Sequence, residues 1–179
     1  MITVYHDDHD QRQEIIPYEV ALDNIRSGFN VGSILRNGDA FGCRNFHLLG
    51  ITANPTHPEV IKTSKGTDRH VQSRYWHDTS VFLEYLAEWP YSIYALETTD
   101  QSLPLGEVRF QFPCLVILGH EVTGVSSVLL ARATQIISIP MMGIKNSINV
   151  SVASGILFYS LAMQYRTDSE HGQGSSDKE

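Results

Sequence analysis

Several common devices are missing from these 179 residues. There are only two cysteines, Cys43 and Cys114, far apart and each in an apolar setting. That favours two buried thiols in a reducing compartment over a disulfide. No apolar run approaches the roughly 20 residues a membrane-spanning helix needs. The opening residues, MITVYHDDHDQRQE, carry no basic stretch followed by an apolar one, so no secretory signal is visible and a cytoplasmic location is expected. G-x-G-x-x-G, G-x-x-x-x-G-K-[ST] and G-x-S-x-G are all absent, which argues against a nicotinamide enzyme, a P-loop ATPase and an α/β-hydrolase. HEVTG at 120–124 has Gly124 where a zinc protease needs its second histidine. His6, Asp7, Asp8 and His9 read as a solvated acidic stretch, and no metal is expected. Cys43 has no His–Asn partner that the sequence can show, so a thiol nucleophile lacks support.

A basic surplus is missing too. The net charge of −7 argues against nucleic acid as a partner, yet its distribution is uneven. Residues 23–76 hold seven basic side chains (Arg26, Arg36, Arg44, Lys62, Lys65, Arg69, Arg74) against four acidic ones, while both flanks are acidic. Such a segment suits phosphate contact, and it is also of ordinary charge density.

What is present fits one domain. A polar arm is expected over 1–14, a core over 15–166, and a disordered polar tail over 167–179 (TDSEHGQGSSDKE). Within the core, strand-like runs at 19–22, 46–50, 91–96, 115–118 and 135–139 alternate with helix-like ones at 30–41, 79–89, 126–133 and 148–165. Asn30, Thr79 or Ser80, and Ser147 are the candidate caps. The last helix is apolar nearly all round and should pack on two sides. This alternation implies a mostly parallel α/β sheet covered by helices on both faces.

Three loops at the ends of strand-like runs carry polar residues where a plain core would not want them: residues 24–42 (NIRSGFNVGSILRNGDAFG), 115–126 (LVILGHEVTGVS) and 139–153 (IPMMGIKNSINVSVA). Open α/β sheets bind ligands at such ends. In the first, Arg36 offers a rigid fork suited to phosphate. Asn30 and Arg36 approach one side only if the helix starts at or after Asn30. They read equally as a cap and a solvated charge. In the second, Glu121 at the end of a buried strand must be satisfied by donors there. In the third, Ser147, Asn149 and Ser151 surround a helix start, where free N–H groups favour anions. Asn149, a poor helix former, is the hardest of these to explain as simple structure.

Together, in this order, the loops resemble the SpoU/TrmH family of RNA ribose 2′-O-methyltransferases. Asn30-Val31-Gly32-Ser33-Ile34-Leu35-Arg36 is similar to the family's N-x-G-x-x-x-R element. Gly119, Glu121 and Gly124 are similar to G-x-E-x-x-G. Ile139-Pro140-Met141-Met142-Gly143, followed by Ser147-Ile148-Asn149-Val150-Ser151-Val152-Ala153, resembles I-P-M-x-G and S-L-N-V-S-V-A, with Ile148 in place of leucine. The resemblance covers roughly residues 18–165. It implies a SPOUT-type α/β fold with a C-terminal trefoil knot, a homodimer, and S-adenosylmethionine as methyl donor. It implies Leu96, Glu97, Thr98, Gly119, Ile139, Met141 and Ile148 as the lining of the donor pocket, and Arg36, Asn30, Glu121, Ser147 and Asn149 as catalytic residues. The acceptor would be a ribose 2′-hydroxyl of structured RNA, either tRNA or rRNA. Many relatives carry an extra N-terminal RNA-binding domain. Here a short arm stands in its place, so RNA contact falls to the domain itself, through Arg26, Lys62, Lys65, Arg69 and Arg74. The alternative reading is a catalytically inactive module of the same fold that binds RNA or S-adenosylmethionine.

Overall fold

The computed structural model describes residues 1–5 and 14–173. Among them, eight strands form one sheet: β1 (Ile2–Tyr5), β2 (Ile16–Asp23), β3 (Cys43–Leu49), β4 (Ser73–Trp76), β5 (Ser92–Leu96), β6 (Leu103–Pro104), β7 (Cys114–Leu118) and β8 (Gln135–Ser138). Their spatial order is β1-β4-β3-β2-β7-β5-β8-β6. Only β1, on β4, runs antiparallel; the other neighbours are parallel. Five α-helices, α1 (Gly28–Ala40), α2 (Pro58–Ser64), α3 (Thr79–Ala87), α4 (Ser127–Leu130) and α5 (Val150–Gln173), and two 3-10 turns, Thr67–Arg69 and Leu105–Glu107, complete the description.

Central strands covered on both faces must be apolar on both, and β7 shows it. Val116 and Leu118 join Val20, Leu22, Phe46 and Leu48 beneath Ile34 and Leu35 of α1 and Leu157 and Phe158 of α5. Leu115 and Ile117 face the other way, with Ala21, Leu49 and Ala95, against Phe82 and Leu86 of α3 and Leu129 of α4. Each such fully buried side chain contributes about 1.5–3 kcal/mol relative to exposure. The α1 helix lies unusually close to its neighbours. A Cβ at Gly32 would come 2.7 Å from the Val60 carbonyl oxygen of α2, and one at Gly38 would strike the Phe46 ring.

The chain leaves β2 through α1 and moves toward β3, while β7 occupies the opposite side of β2. The strand order therefore reverses at β2 and β7. A crevice opens outside the carboxyl ends of strands at such a point, which is where ligands bind in open sheets.

Several expectations are corrected. The N-terminal arm holds β1, whose Ile2 stands opposite Trp76; residues 6–13, including His6, Asp7, Asp8 and His9, lie outside the described residues. Helix α5 continues to Gln173, beyond the expected start of the tail at 167. Its polar last turns are tied down by a 2.6 Å ion pair between Arg109 and Asp168 and by Gln164, which bonds both the N–H and the carbonyl of Phe110 at 2.8 Å. Only residues 174–179 of the expected tail lie outside the description. Helix α1 is capped by Ser27, whose hydroxyl accepts from the Asn30 N–H, and α3 by Asp78. Asn149, not Ser147, caps α5: its side chain accepts from Ser151 N at 2.8 Å and its carbonyl from Val152 and Ala153. Within one chain α5 packs on one side only. Val152, Ile156 and Tyr159 stay 54%, 41% and 54% exposed. No helix among the described residues is long and apolar enough to cross a membrane.

Candidate active site

The three unusual loops meet. Asn30, in the first turn of α1, donates from Nδ2 to Glu121 Oε1 at 2.8 Å. Asn149, at the start of α5, donates from its Nδ2 to Asn30 Oδ1 at 3.1 Å. Asn149 Oδ1 in turn accepts from the Ser151 N–H at 2.8 Å and the Ser151 hydroxyl at 2.6 Å. Donors and acceptors alternate along this relay, so each amide has one orientation and Glu121 is held from behind. The three residues come from positions 91 and 119 apart in the chain.

The loop after β7 that carries Glu121 is pinned by two carboxylates, the half-buried Glu97 and the buried Asp23. His120 and Gly124 exchange two backbone hydrogen bonds at 3.0 and 2.9 Å, and His120 Nδ1 accepts from Val122 and Thr123. Gly124 has φ +70°, and any side chain there would strike the Glu97 carboxylate. Glu97 accepts from Val125 N and from Thr98 N, both at 2.9 Å. Asp23, 1% exposed, accepts from Ser126 N at 2.7 Å and from Asn24 at 2.7 Å. Both carboxylates accept from loop N–H groups, which is how a group as buried as Asp23 is tolerated.

Beside the relay lies a cavity of about 470 Å³, within the size range of small-molecule sites. All seven residues implied for the methyl donor line it: Leu96, Glu97, Thr98, Gly119, Ile139, Met141 and Ile148. Glu121, Ser147 and Asn149 line it as well. No lysine or arginine does, and two carboxylates do, so its electrostatic character suits a cation. Its apolar members come from the ends of β5, β7 and β8, from the loops that follow and from the start of α5, and a Cβ at Gly119 would hit the Gly124 backbone. Among the described residues there is no group of three or more metal-binding side chains. A larger opening of about 630 Å³ lies at the far end of the sheet, between Glu14, Gly42, His70 and Arg166, and has no comparable relay.

Other expected residues are not gathered. Helix α1 begins before Asn30, so Arg36 lies about 240° around the axis from it. Arg36 is exposed on the outer surface of α1 and does not line the cavity. Lys62 and Lys65 sit on or just after α2, which packs against α1. Arg74 does not join them. It shares the strand parity of Trp76, which faces α3, and its charge acts on Glu19 and His47 there. Arg69 falls in a 3-10 turn, Thr67–Arg69. Sequence reasoning missed two positioning residues. Asn37 is seven residues, about two turns, beyond Asn30 and ties α1 to α5 through Ser151 O at 2.8 Å and Ser154 Oγ at 2.9 Å. Asp23 is the other. The signal for both was a polar side chain on an otherwise buried face.

A second polar cluster lies on the α3 face. His47 is fully buried. Trp76 Nε1 donates to its Nδ1 at 3.1 Å, which leaves Nε2–H to donate to Glu19 Oε2 at 2.6 Å. Burial, with a contribution from Arg74, holds the imidazole below its usual range. Burial pushes the Glu19 carboxyl up, but the hydrogen bonds from His47 and Asn45, with the Arg74 charge, work against it and Glu19 stays lowered. The tautomer required by Trp76 is neutral, so we take His47 as uncharged. Burial pushes the Cys114 thiol up to about 12, so it is not poised as a thiolate; Cys43 is also buried.

The fold and site define an α/β domain with a ligand crevice at its topological switch and an amide–carboxylate relay at the rim. Residues 17–159 match the SpoU rRNA methylase family, and the chain belongs to that family. It is 33% identical over 145 residues to the tRNA (guanosine(18)-2′-O)-methyltransferase of Thermus thermophilus, covering 81% of this chain and 74% of that one. It superposes on the AdoMet-bound rRNA methyltransferase of Sinorhizobium meliloti with a TM-score of 0.77 at 25% identity, covering 87% of this chain and 58% of that one. It superposes on a protein solved for 2′-OH methylation of C/U34 on tRNA with a TM-score of 0.75 at 25% identity, covering 84% of this chain and 97% of that one. The chain spans less than two thirds of several of the solved relatives.

Proposed function

We propose that this chain transfers a methyl group from S-adenosylmethionine to a ribose 2′-hydroxyl of structured RNA, tRNA or rRNA. The observation that carries the reading is the Asn149–Asn30–Glu121 relay at the rim of a cavity lined by all seven residues implied for the donor. The donor supplies an electrophilic methyl group on a positively charged sulfonium. Loop backbone and the side chains of Leu96, Ile139, Met141 and Ile148 hold its apolar parts, and the carboxylates of Glu97 and Glu121 favour its charge. Asn30, Glu121, Ser147 and Asn149 orient the ribose. Fixing two reactants in line contributes much of such a rate.

Arg36 scarcely deprotonates in any protein. Lying on the outer surface of α1 and outside the cavity, it acts by electrostatics and orientation on the RNA backbone, holding a phosphate of the substrate. The hydroxyl proton leaves to phosphate or water. Residues 15–166 act as one methyltransferase domain, tied by the trefoil knot that the family resemblance implies. The exposed Val152, Ile156 and Tyr159 of α5 support a homodimer, since an apolar helical stripe of this kind seeks a partner. A cytoplasmic location accords with the substrate. Two experiments test the reading. Calorimetry should detect S-adenosylmethionine binding to the purified chain. Labelled methyl transfer to bulk tRNA and rRNA, followed by mapping of 2′-O-methyl sites, should find one defined position. Donor binding without any transfer would leave only the inactive binding module.

A further inference from the structure

The outer face of α1 carries chemistry that the relay does not use. Helical geometry sorts the residues of α1 by direction. Val31, Ile34, Leu35 and Gly38 face the sheet and are buried. Gly28 and Gly32 face α2, while Asn30 and Asn37 point to the site loops and α5. The remaining direction belongs to Phe29, Ser33 and Arg36. Phe29 is adjacent to the relay residue Asn30 and is 48% exposed. The Lys62 ammonium stands 5.9 Å from its ring centroid, within cation–π range. Arg36 is two turns along the same face, about 10 Å away. Arg26 is exposed three residues before Phe29.

The Phe29 ring is half exposed and carries the Lys62 ammonium beside it. Unpaired nucleotides are bound by an aromatic face for the base combined with cations for the backbone. We propose that Phe29, backed by Lys62, stacks on an unpaired base of the RNA close to the methylated ribose, while Arg36 holds the backbone on the same helical face. This deepens the proposed function and rests on it. The face selects nucleotides splayed out of a helix over those locked in a duplex. Phe29 thereby becomes a substrate-selecting residue, separate from the donor pocket.

The test uses the full chain, its Phe29→Ala, Phe29→Leu and Phe29→Trp variants, and two RNA probes: a stem–loop with an unpaired loop and a blunt duplex of equal length. Stacking predicts that Phe29→Ala and Phe29→Leu weaken stem–loop binding roughly 5- to 100-fold. Phe29→Trp should restore it and show fluorescence quenching on stem–loop addition that exceeds the change from Trp76 and Trp89 in the unsubstituted chain. Binding of S-adenosylmethionine should be unchanged in all variants, and the duplex should bind alike to all. Equal stem–loop affinity for the parent and Phe29→Ala, with methyl transfer intact, would overturn this inference and spare the proposed function. A change of oligomeric state in Phe29→Ala would overturn it by assigning the ring to a second copy of the chain. Absence of RNA binding and methyl transfer by the parent chain would sink both readings together.

Discussion

Two polar networks sit on this sheet, and they differ in what is left open. On the α3 face, Glu19, His47 and Trp76 satisfy one another in a packed aromatic surround, with Phe82 and Tyr85 rings 5.2 and 5.4 Å from the imidazole. His47 has no exposure and borders no cavity described above. At the carboxyl edge, Asn149, Asn30 and Glu121 also satisfy one another, but the chain of bonds ends on an exposed carboxylate beside a cavity of about 470 Å³. Both clusters would attract attention as unusual polar residues. The closed one holds the buried Glu19–His47 pair, and the access is in the open one. Perturbed groups mark functional sites only when something can reach them.

Breaking each network in turn sharpens the comparison. In the open one, Asn149→Ala should lower single-turnover methyl transfer by about 100-fold or more; Arg36→Lys, beside that network on the outer face of α1, should lower it as well, with S-adenosylmethionine affinity retained. Equal rates for Arg36→Lys and the parent at saturating RNA would refute the role given to that guanidinium. In the closed one, His47→Ala leaves Glu19 without its main partner and should cost about 3 kcal/mol of stability, measured by urea unfolding. Transfer per folded molecule should not change; a selective loss of transfer at full stability would put His47 in the wrong network.

Protonation distinguishes the two more gently. His47 and Glu19 both have folded-state values lowered from the ordinary 6.5 and 4.5. A lowered value means that the unfolded chain takes up the proton first. The stabilisation is therefore full above the unfolded values and is lost as pH falls, beginning near 6.5 for His47 and continuing below 4.5 for Glu19. Thermal midpoints should drop from pH 7.5 to pH 5.5, and the drop should shrink in His47→Ala. A midpoint that rises on acidification would contradict a neutral buried imidazole. The smallest effect concerns charge on the two faces. Lys62→Ala should reduce the salt dependence of RNA affinity by about one unit of slope, whereas Arg74→Ala, on the α3 face, should leave the slope unchanged. Equal effects would mean that the RNA does not distinguish the faces.

Much of this was legible in the chain because strand and helix periods are local. The runs 115–118 and 79–89 needed only their apolar pattern and the stop at Pro90 to be placed. The clustering of Asn30, Glu121 and Asn149 was legible only through the family resemblance, since nothing local says that residues 119 positions apart will touch. Caps were misplaced by one or a few residues because Ser27 and Asn30, or Ser147 and Asn149, are all acceptable cap types and only the backbone geometry chooses. Strand β1 was missed although Ile2, Thr3, Val4 and Tyr5 all favour strands, because the four residues head a polar stretch and were read as part of it. The last turns of α5 were missed because their order comes from Arg109 and Phe110, contacts that composition cannot show. The direction of Arg74 depended on the register of β4, itself unrecognised from its four residues.

The central claim is that the open relay serves transfer to a sugar oxygen. The most direct measurement is nucleotide-resolved mapping of 2′-O-methylation in tRNA and rRNA incubated with S-adenosylmethionine and either the parent chain or Asn30→Ala. The account predicts one ribose-methylated position with the parent and its near-complete loss in the variant, with donor binding preserved. Methylation on a base, or an undiminished ribose signal in Asn30→Ala, would contradict it.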